Sequence, residues 1–180
     1  MEGQIILFGC GEIGTKACEF LGSHNIQCFC DNNPDLAGQT KCGKPVISFD
    51  KLKREYRDAI VIISADRGNA DQITRQGEES GIEDFLVYET MRDSFENGEQ
   101  LLAFIQEPSN RLYAKMKFYR DKVRELRLEI DYFKRHSDIR SMKPAIGKLR
   151  ERQMRTVRAS AELIERLKGL EIKPYLTGGN

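Results

Sequence analysis

No stretch of the chain is apolar for the roughly 20 residues that a helix needs to cross a bilayer. The first residues enter a strand-like run, Ile5-Ile6-Leu7-Phe8, with neither a basic leader nor a small-residue cleavage site, so no signal peptide is expected. Serine–histidine pairing, HExxH and GKS/T loops are all lacking, and no catalytic set is expected. There are only two histidines, His24 and His136, and neither has a second ligand at a usual spacing. Structural zinc normally pairs its cysteines as CxxC. The five cysteines, Cys10, Cys18, Cys28, Cys30 and Cys42, are odd in number and irregularly spaced. They read as small core or loop residues of a reducing compartment, with no disulfide and no metal site. The expected location is the cytoplasm.

What is present divides in two. Residues 1–92 hold 10 Lys/Arg against 15 Asp/Glu, whereas residues 93–180 hold 19 against 13. A formal charge of +1 therefore hides an acidic front and a basic back.

The front alternates buried-strand and helix patterns. Gln4–Gly9 is a continuous apolar run, as in a parallel strand covered on both faces. Thr15–Leu21 reads as a helix, Ile26–Cys30 as a second strand and Asp31-Asn32-Asn33-Pro34 as a turn. Gly38 to Gly43 reads as loop and Pro45-Val46-Ile47 as a short extended piece. Ser48 is placed as the cap of a helix over Phe49–Tyr56. Ala59–Ser64 and Asp84–Tyr88 complete the strands, around a polar helix from Asn69 to Ser80. This order predicts an α/β, Rossmann-like open parallel sheet of about four strands with helices on both faces and right-handed crossovers.

Gly9-x-Gly11-x-x-Gly14 stands between the first strand and the first helix, where this spacing suits a diphosphate. The first glycine permits the tight turn, the second lets a phosphate approach the backbone, and the third lets helix and strand pack closely. The amides of Ile13 and Gly14 and the helix dipole would hold the anion. Asp31, closing the second strand, is placed to take ribose hydroxyls and to repel a 2′-phosphate. The candidate ligand-binding residues are Gly9, Gly11, Glu12, Ile13, Gly14, Asp31, Asn32 and Ser64. Ser64, Ala65 and Asp66 lie past the third strand, where they either contact a base or sugar or form an ordinary turn with Asp66 as a cap. The competing reading is architectural: glycines for the turn alone, Asp31 for the next loop. Nucleotide-sugar and NAD are the expected cofactor classes.

From Gly98 the pattern changes. Leu112, Met116, Tyr119, Val123, Leu126, Ile130 and Phe133 follow a heptad spacing. This predicts a long helical hairpin or coiled-coil arm, the seam pairing either within the chain or in a homodimer. Ser141-Met142-Lys143-Pro144 is expected to break the helix, and a second helix follows from about Ala145 to Leu170. Its stripe is Ile146, Leu149, Val157, Ala161, Ile164 and Leu167. Residues 111–158 carry 16 Lys/Arg against 6 Asp/Glu. Three readings compete for that charge: a solvated face, apposition to an anionic membrane at its inner side, and nucleic acid, the least favoured because no motif accompanies it. The expected organisation is a nucleotide-binding domain over 1–92, a connector over 93–110, a basic arm over 111–170 and the truncated start of a transferase-like domain over 171–180.

Two resemblances follow from these residues. Ile5–Gly14, Phe29-Cys30-Asp31-Asn32-Asn33, Gly43–Ile47 and Ala59–Ser64 resemble the Rossmann-like nucleotide-sugar-binding domain at the front of PglD-type sugar acetyltransferases. About Met154–Asn180, with Glu162–Leu170 and Tyr175-Leu176-Thr177-Gly178-Gly179-Asn180, is similar to the opening of the LicD family of phosphocholine and related transferases. That resemblance implies a nucleotidyltransferase-like parent whose metal-binding Asp-x-Asp pair would lie beyond Asn180. The segment is then an ancillary binding module of a bacterial cell-surface polysaccharide transferase, not catalytic by itself. The alternative is an NAD(H)-binding oxidoreductase or sensor domain.

Overall fold

The computed structural model describes residues 3–82, 84–136, 139–168 and 170. They divide into two compact units meeting between Arg111 and Leu112.

The first unit is built on β1 (Ile5–Phe8), α1 (Glu12–Leu21), β2 (Ile26–Asp31), β3 (Thr40–Lys41), β4 (Lys44–Ser48), α2 (Phe49–Glu55), β5 (Ile60–Ile63), α3 (Arg67–Glu79) and β6 (Phe85–Val87). The sheet runs β3-β4-β2-β1-β5-β6, parallel throughout except for the β3–β4 pair. Every residue of β1, β5 and β6 is buried, the condition that produces uninterrupted apolar runs in a parallel sheet. The chain moves outward from β1 through β2 to β4, then returns to the other side of β1 with β5. The carboxyl end of β1 is thus a topological switch point, where open α/β sheets leave a crevice.

The sheet has six strands rather than about four. The segment expected to be loop from Gly38 to Gly43 contains β3, and the extended piece at Pro45 is a full strand whose Val46 and Ile47 pair with Phe29 and Cys30. Helix starts also move earlier. α1 begins at Glu12 rather than Thr15, and α3 at Arg67 rather than Asn69, because the glycine loop and the Asp66 cap hand directly into helix. Ser48 caps α2 as expected, accepting from the Lys51 amide at 3.3 Å.

α4 (Tyr88–Met91) follows β6 directly, and the stretch read as a connector, 93–110, holds α5 (Gly98–Gln106). Asn97 caps α5, and Leu101, Phe104 and Ile105 bury its apolar face. Gly98 lies against Leu21 and the Phe20 carbonyl, where a Cβ would overlap backbone. Arg111 locks the end of α5 by donating to the carbonyls of Ile105 (2.7 Å) and Gln106 (3.1 Å) and to Asp84 (3.1 Å).

Helix α6 (Pro108–His136) continues into the second unit, which also contains α7 (Ile139–Leu167). Here Leu126, Ile130 and Phe133 of the seam pack against Ile146 and Leu149 of the same chain. Two expectations are corrected. Pro144 does not end a helix: it lies inside α7, near its start, where a missing amide costs only the bond to Arg140. Nor does the whole second stripe face inward as read: Ile146, Leu149 and Leu167 do, and Val157, Ala161 and Ile164 do not. Leu163 is 4% exposed and Ser160 is buried, whereas Met154, Val157 and Ile164 are exposed, Ile164 to 45%. The inward register is Ile146, Leu149, Gln153, Thr156, Ser160, Leu163 and Leu167, all buried or half-buried. Its polar middle hides it from an apolar-only periodicity. No described helix is long and apolar enough to cross a membrane. The tail over 171–180 lies outside the described residues.

Candidate functional site

The switch point holds a cleft of about 440 Å³. Six of its lining residues come from the first loop and the start of α1: Phe8, Gly9, Cys10, Gly11, Glu12 and Ile13. Asp31 and Asn32 come from the end of β2, and Ser64, Ala65, Asp66, Asn69, Gln72 and Ile73 from the β5–α3 side. Seven of the eight sequence-predicted residues therefore line one cleft. Gly14 does not; it sits one turn into α1, buried, where a Cβ would overlap the Gly9 carbonyl oxygen.

The three glycines do different work. Gly9 has φ 122°, and a Cβ there would lie 2.5 Å from the Ser64 carbonyl oxygen. It is required by the backbone, as is Gly14. Gly11 is not: its φ of −72° suits any L-residue, and apart from its chain neighbours no atom of the described residues stands within 4 Å of where its Cβ would be. The open side of the loop is thus at Gly11. No side chain caps α1, in contrast to α2, α3 and α5, which are capped by Ser48, Asp66 and Asn97. The leading amides of α1 keep their hydrogen-bonding capacity and the positive end of the helix dipole.

Asp31 is held rigidly. One oxygen accepts from the Cys10 amide at 2.8 Å and the other from the Asn33 amide at 2.9 Å. It thereby fixes the glycine loop and the turn after β2 to each other, leaving further lone pairs on a half-buried carboxylate. Asn32 and Gln76 exchange two side-chain bonds, at 2.8 and 3.1 Å, tying the end of β2 to α3. Ser64 is 1% exposed and donates to the carbonyls of Phe8 (3.3 Å) and Gly9 (3.2 Å). Its hydroxyl is engaged in fastening β5 to the loop. Glu12 is exposed and paired with Lys16 at 2.7 Å, and the bond from Lys16 pulls its carboxyl below the ordinary range.

Asp66 takes the capping position: it accepts the Asn69 amide at 3.0 Å and the Asn69 side-chain amide at 2.7 Å. Those bonds draw its carboxyl below the usual value. Burial, then the Asp31 charge, pushes the Cys10 thiol up to about 12, so it stays protonated at neutral pH. Sequence reasoning missed Phe8, Cys10, Asn69, Gln72 and Ile73. The last three sit on the early α3 turns facing the crevice, a placement that depends on where α3 begins. Glu12, Asp31 and Asp66 face a cleft whose lining contains no lysine or arginine. An anion here meets backbone amides in the lining, with Lys41 near enough to act on Cys10, whereas hydroxyl donors find carboxylates.

No protein-family model matches the chain, and no curated protein does. Among solved structures, UDP-D-quinovosamine 4-dehydrogenase from Vibrio fischeri is similar over 48% of this chain and 78% of its own, at 17% identity and a TM-score of 0.41. The strand order and the glycine loop themselves make the first unit a Rossmann-like α/β domain.

Proposed function

We propose that the first unit is a binding module for a nucleotide-linked small molecule, held with its diphosphate at the glycine loop. The observation that carries this reading is Gly11: neither its backbone angles nor its neighbours require glycine, yet an uncapped helix start opens beside it. A ligand approaching the backbone there supplies the reason. The three carboxylates and the lack of lining cations favour a ligand with a single diphosphate whose remaining groups are neutral hydroxyls. A nucleotide sugar fits that description. In the finer form of the proposal the chain is the front of a LicD-like cell-surface polysaccharide or phosphocholine-type transferase, with 1–92 as the binding domain and 93–110 as the connector. The basic arm of 111–170 would then lie against an anionic inner membrane surface, with the transferase domain beginning near 171.

A second reading is supported by Asp31, which ends β2 where a ribose diol would meet it: an NAD(H)-binding oxidoreductase or sensor. One thermal-shift screen separates the two, using UDP-, CDP- and GDP-sugars, CDP-choline and NADH. A ligand present at 100 times its dissociation constant stabilises the fold by about 2.7 kcal/mol. The proposal expects a shift with a nucleotide sugar; a shift with NADH alone favours the second reading, and no shift removes both. Salt-sensitive co-sedimentation with acidic vesicles tests the membrane element, and a monomer mass in ultracentrifugation would remove a homodimer through the seam.

A further inference from the structure

Helix α7 spends little of its apolar surface on its partner. The face turned to α6 has Gln153, Thr156 and Ser160 at its middle, whereas Met154, Val157, Ala161 and Ile164 are all exposed. These four recur at intervals of 3, 4 and 3 and so form one row along the helix, which Arg150 and Lys168 continue at either end. Helix α6 carries a second row with the same intervals: Lys117, Arg120, Arg124 and Arg127. Arg120 and Arg127 directly follow the buried Tyr119 and Leu126, just as Val157 and Ile164 directly follow the inward Thr156 and Leu163. At about 100° per residue, each row is thus turned in the same sense from its helix's inward line. The helices run antiparallel, since Ile130 near the end of α6 meets Ile146 near the start of α7. Rows turned in the same sense on two antiparallel helices fall on the same side of the pair. One side of the hairpin therefore presents an apolar row from α7 beside a basic row from α6. Among the described residues Lys117, Arg120, Arg124, Arg127 and Arg150 have no ion pair. Asp131, which continues the α6 row, pairs with Lys134 at 3.3 Å. At the outer edge, Glu151 and Glu165 pair with Arg155 (3.7 Å) and Lys168 (2.6 Å).

We propose that this side of the hairpin is a docking face for an anionic bilayer. The basic row meets lipid phosphates, while Met154, Val157 and Ile164 enter the boundary beneath the headgroups. The inference rests on the membrane element of the reading above and narrows it to one face; the cleft and its ligand do not enter. Charge selects the occupant. A second copy laid on the same side would bring two basic rows towards each other, and a nucleic-acid backbone offers no apolar partner for the α7 row. A bilayer containing acidic lipid satisfies both rows at once.

The test uses the whole chain with vesicles of phosphatidylglycerol and phosphatidylcholine in equal parts, and of phosphatidylcholine alone. Wild type is expected to sediment with the first and not the second, and to be released by salt. Each cation near an anionic surface contributes about a factor of five, so Arg120→Gln/Arg124→Gln/Arg127→Gln should weaken partitioning roughly 100-fold. Lys148→Gln/Arg155→Gln/Arg166→Gln removes the same charge from the opposite flank and should weaken it less than about tenfold. All six positions are exposed, so neither set disturbs the core. The chain has no tryptophan, so Ile164→Trp supplies a single reporter. Its emission should move to shorter wavelength on acidic vesicles, while that of Lys148→Trp should not. Wild type that ignores both kinds of vesicle would overturn the proposal together with the membrane reading. Equal losses from the two triple variants, or an unmoved Ile164→Trp emission while the protein is bound, would overturn the face and leave that reading standing. Two further results would also overturn it. Ile164→Trp emission already shifted without vesicles, in a chain that sediments as a dimer, gives the row to a second copy. An RNA oligomer retained at the salt that releases vesicles gives it to nucleic acid.

Discussion

Leu163 and Ile164 are neighbours on α7, yet they should respond very unequally to truncation. Leu163 is 4% exposed and Ile164 45%. Leu163→Ala removes three carbons from a packed site. At about 0.8 kcal/mol per buried methylene the transfer loss is about 2.4 kcal/mol, and the residual cavity raises it to about 3 kcal/mol. Ile164→Ala removes three carbons that are only half withdrawn from water, worth about 1 kcal/mol, and alanine returns roughly 0.5 kcal/mol through better helix propensity. The two variants should therefore differ by about 2 kcal/mol. In a unit of this size each kcal/mol moves the midpoint by roughly 4–8 °C, so the gap should be at least about 8 °C. Far-UV circular dichroism melts of the full chain read the helical transition directly. Equal losses for the two variants, or a larger loss for Ile164→Ala, would refute the inward register through Gln153, Thr156 and Ser160. They would restore the apolar stripe through Val157, Ala161 and Ile164.

Gly9→Ala must place a Cβ 2.5 Å from the Ser64 carbonyl oxygen at φ 122°, and should destabilise the first unit by about 3 kcal/mol in urea unfolding. The Asp66 carboxyl is lowered in the fold by the Asn69 amide; its contribution is fully present above the unfolded carboxylate value and is lost as pH falls through the lower folded one. Melts across acid pH should show Asp66→Asn, which keeps a cap without titrating, losing less stability than wild type. Iodoacetamide at neutral pH should label exposed Cys42 first. Cys10, whose thiol burial and the nearby Asp31 charge push up to about 12, should react only on unfolding; peptide mapping over time reads the order.

How much of this was legible in sequence follows from how each element is held. β1 and β5 announce themselves because parallel strands buried on both faces admit only apolar residues, as Ile5–Phe8 and Ile60–Ile63 do. The glycine loop is equally plain, since spacing fixes which element each glycine serves. The β3 strand was invisible: Thr40 and Lys41 are polar and mostly exposed, and the pair is organised by a turn whose Cys42 is not a usual turn residue. α5 was missed although Asn97, with Gln100 three positions on, is a capping signal before Leu101, Phe104 and Ile105. Gln100 in fact accepts from the Glu96 amide. In α7 the inward face is chosen by the partner helix rather than by hydrophobicity, so Ser160 is covered while Ile164 is not. At the site, the sequence located Asp31 and the loop but not the Asp31 bond to the Cys10 amide, which depends on side-chain geometry.

Whether the glycine loop exists for a ligand or for the turn alone is decided most directly at Gly11. Gly11→Ala meets no atom of the described residues beyond its chain neighbours and keeps an allowed backbone, so its stability should stay within about 1 kcal/mol of wild type. Calorimetric titration with the nucleotide sugar that gives the largest thermal shift should show wild type binding and Gly11→Ala losing that binding while melting normally. Gly11→Ala binding the ligand as tightly as wild type, or unfolding as readily as Gly9→Ala, would contradict the account.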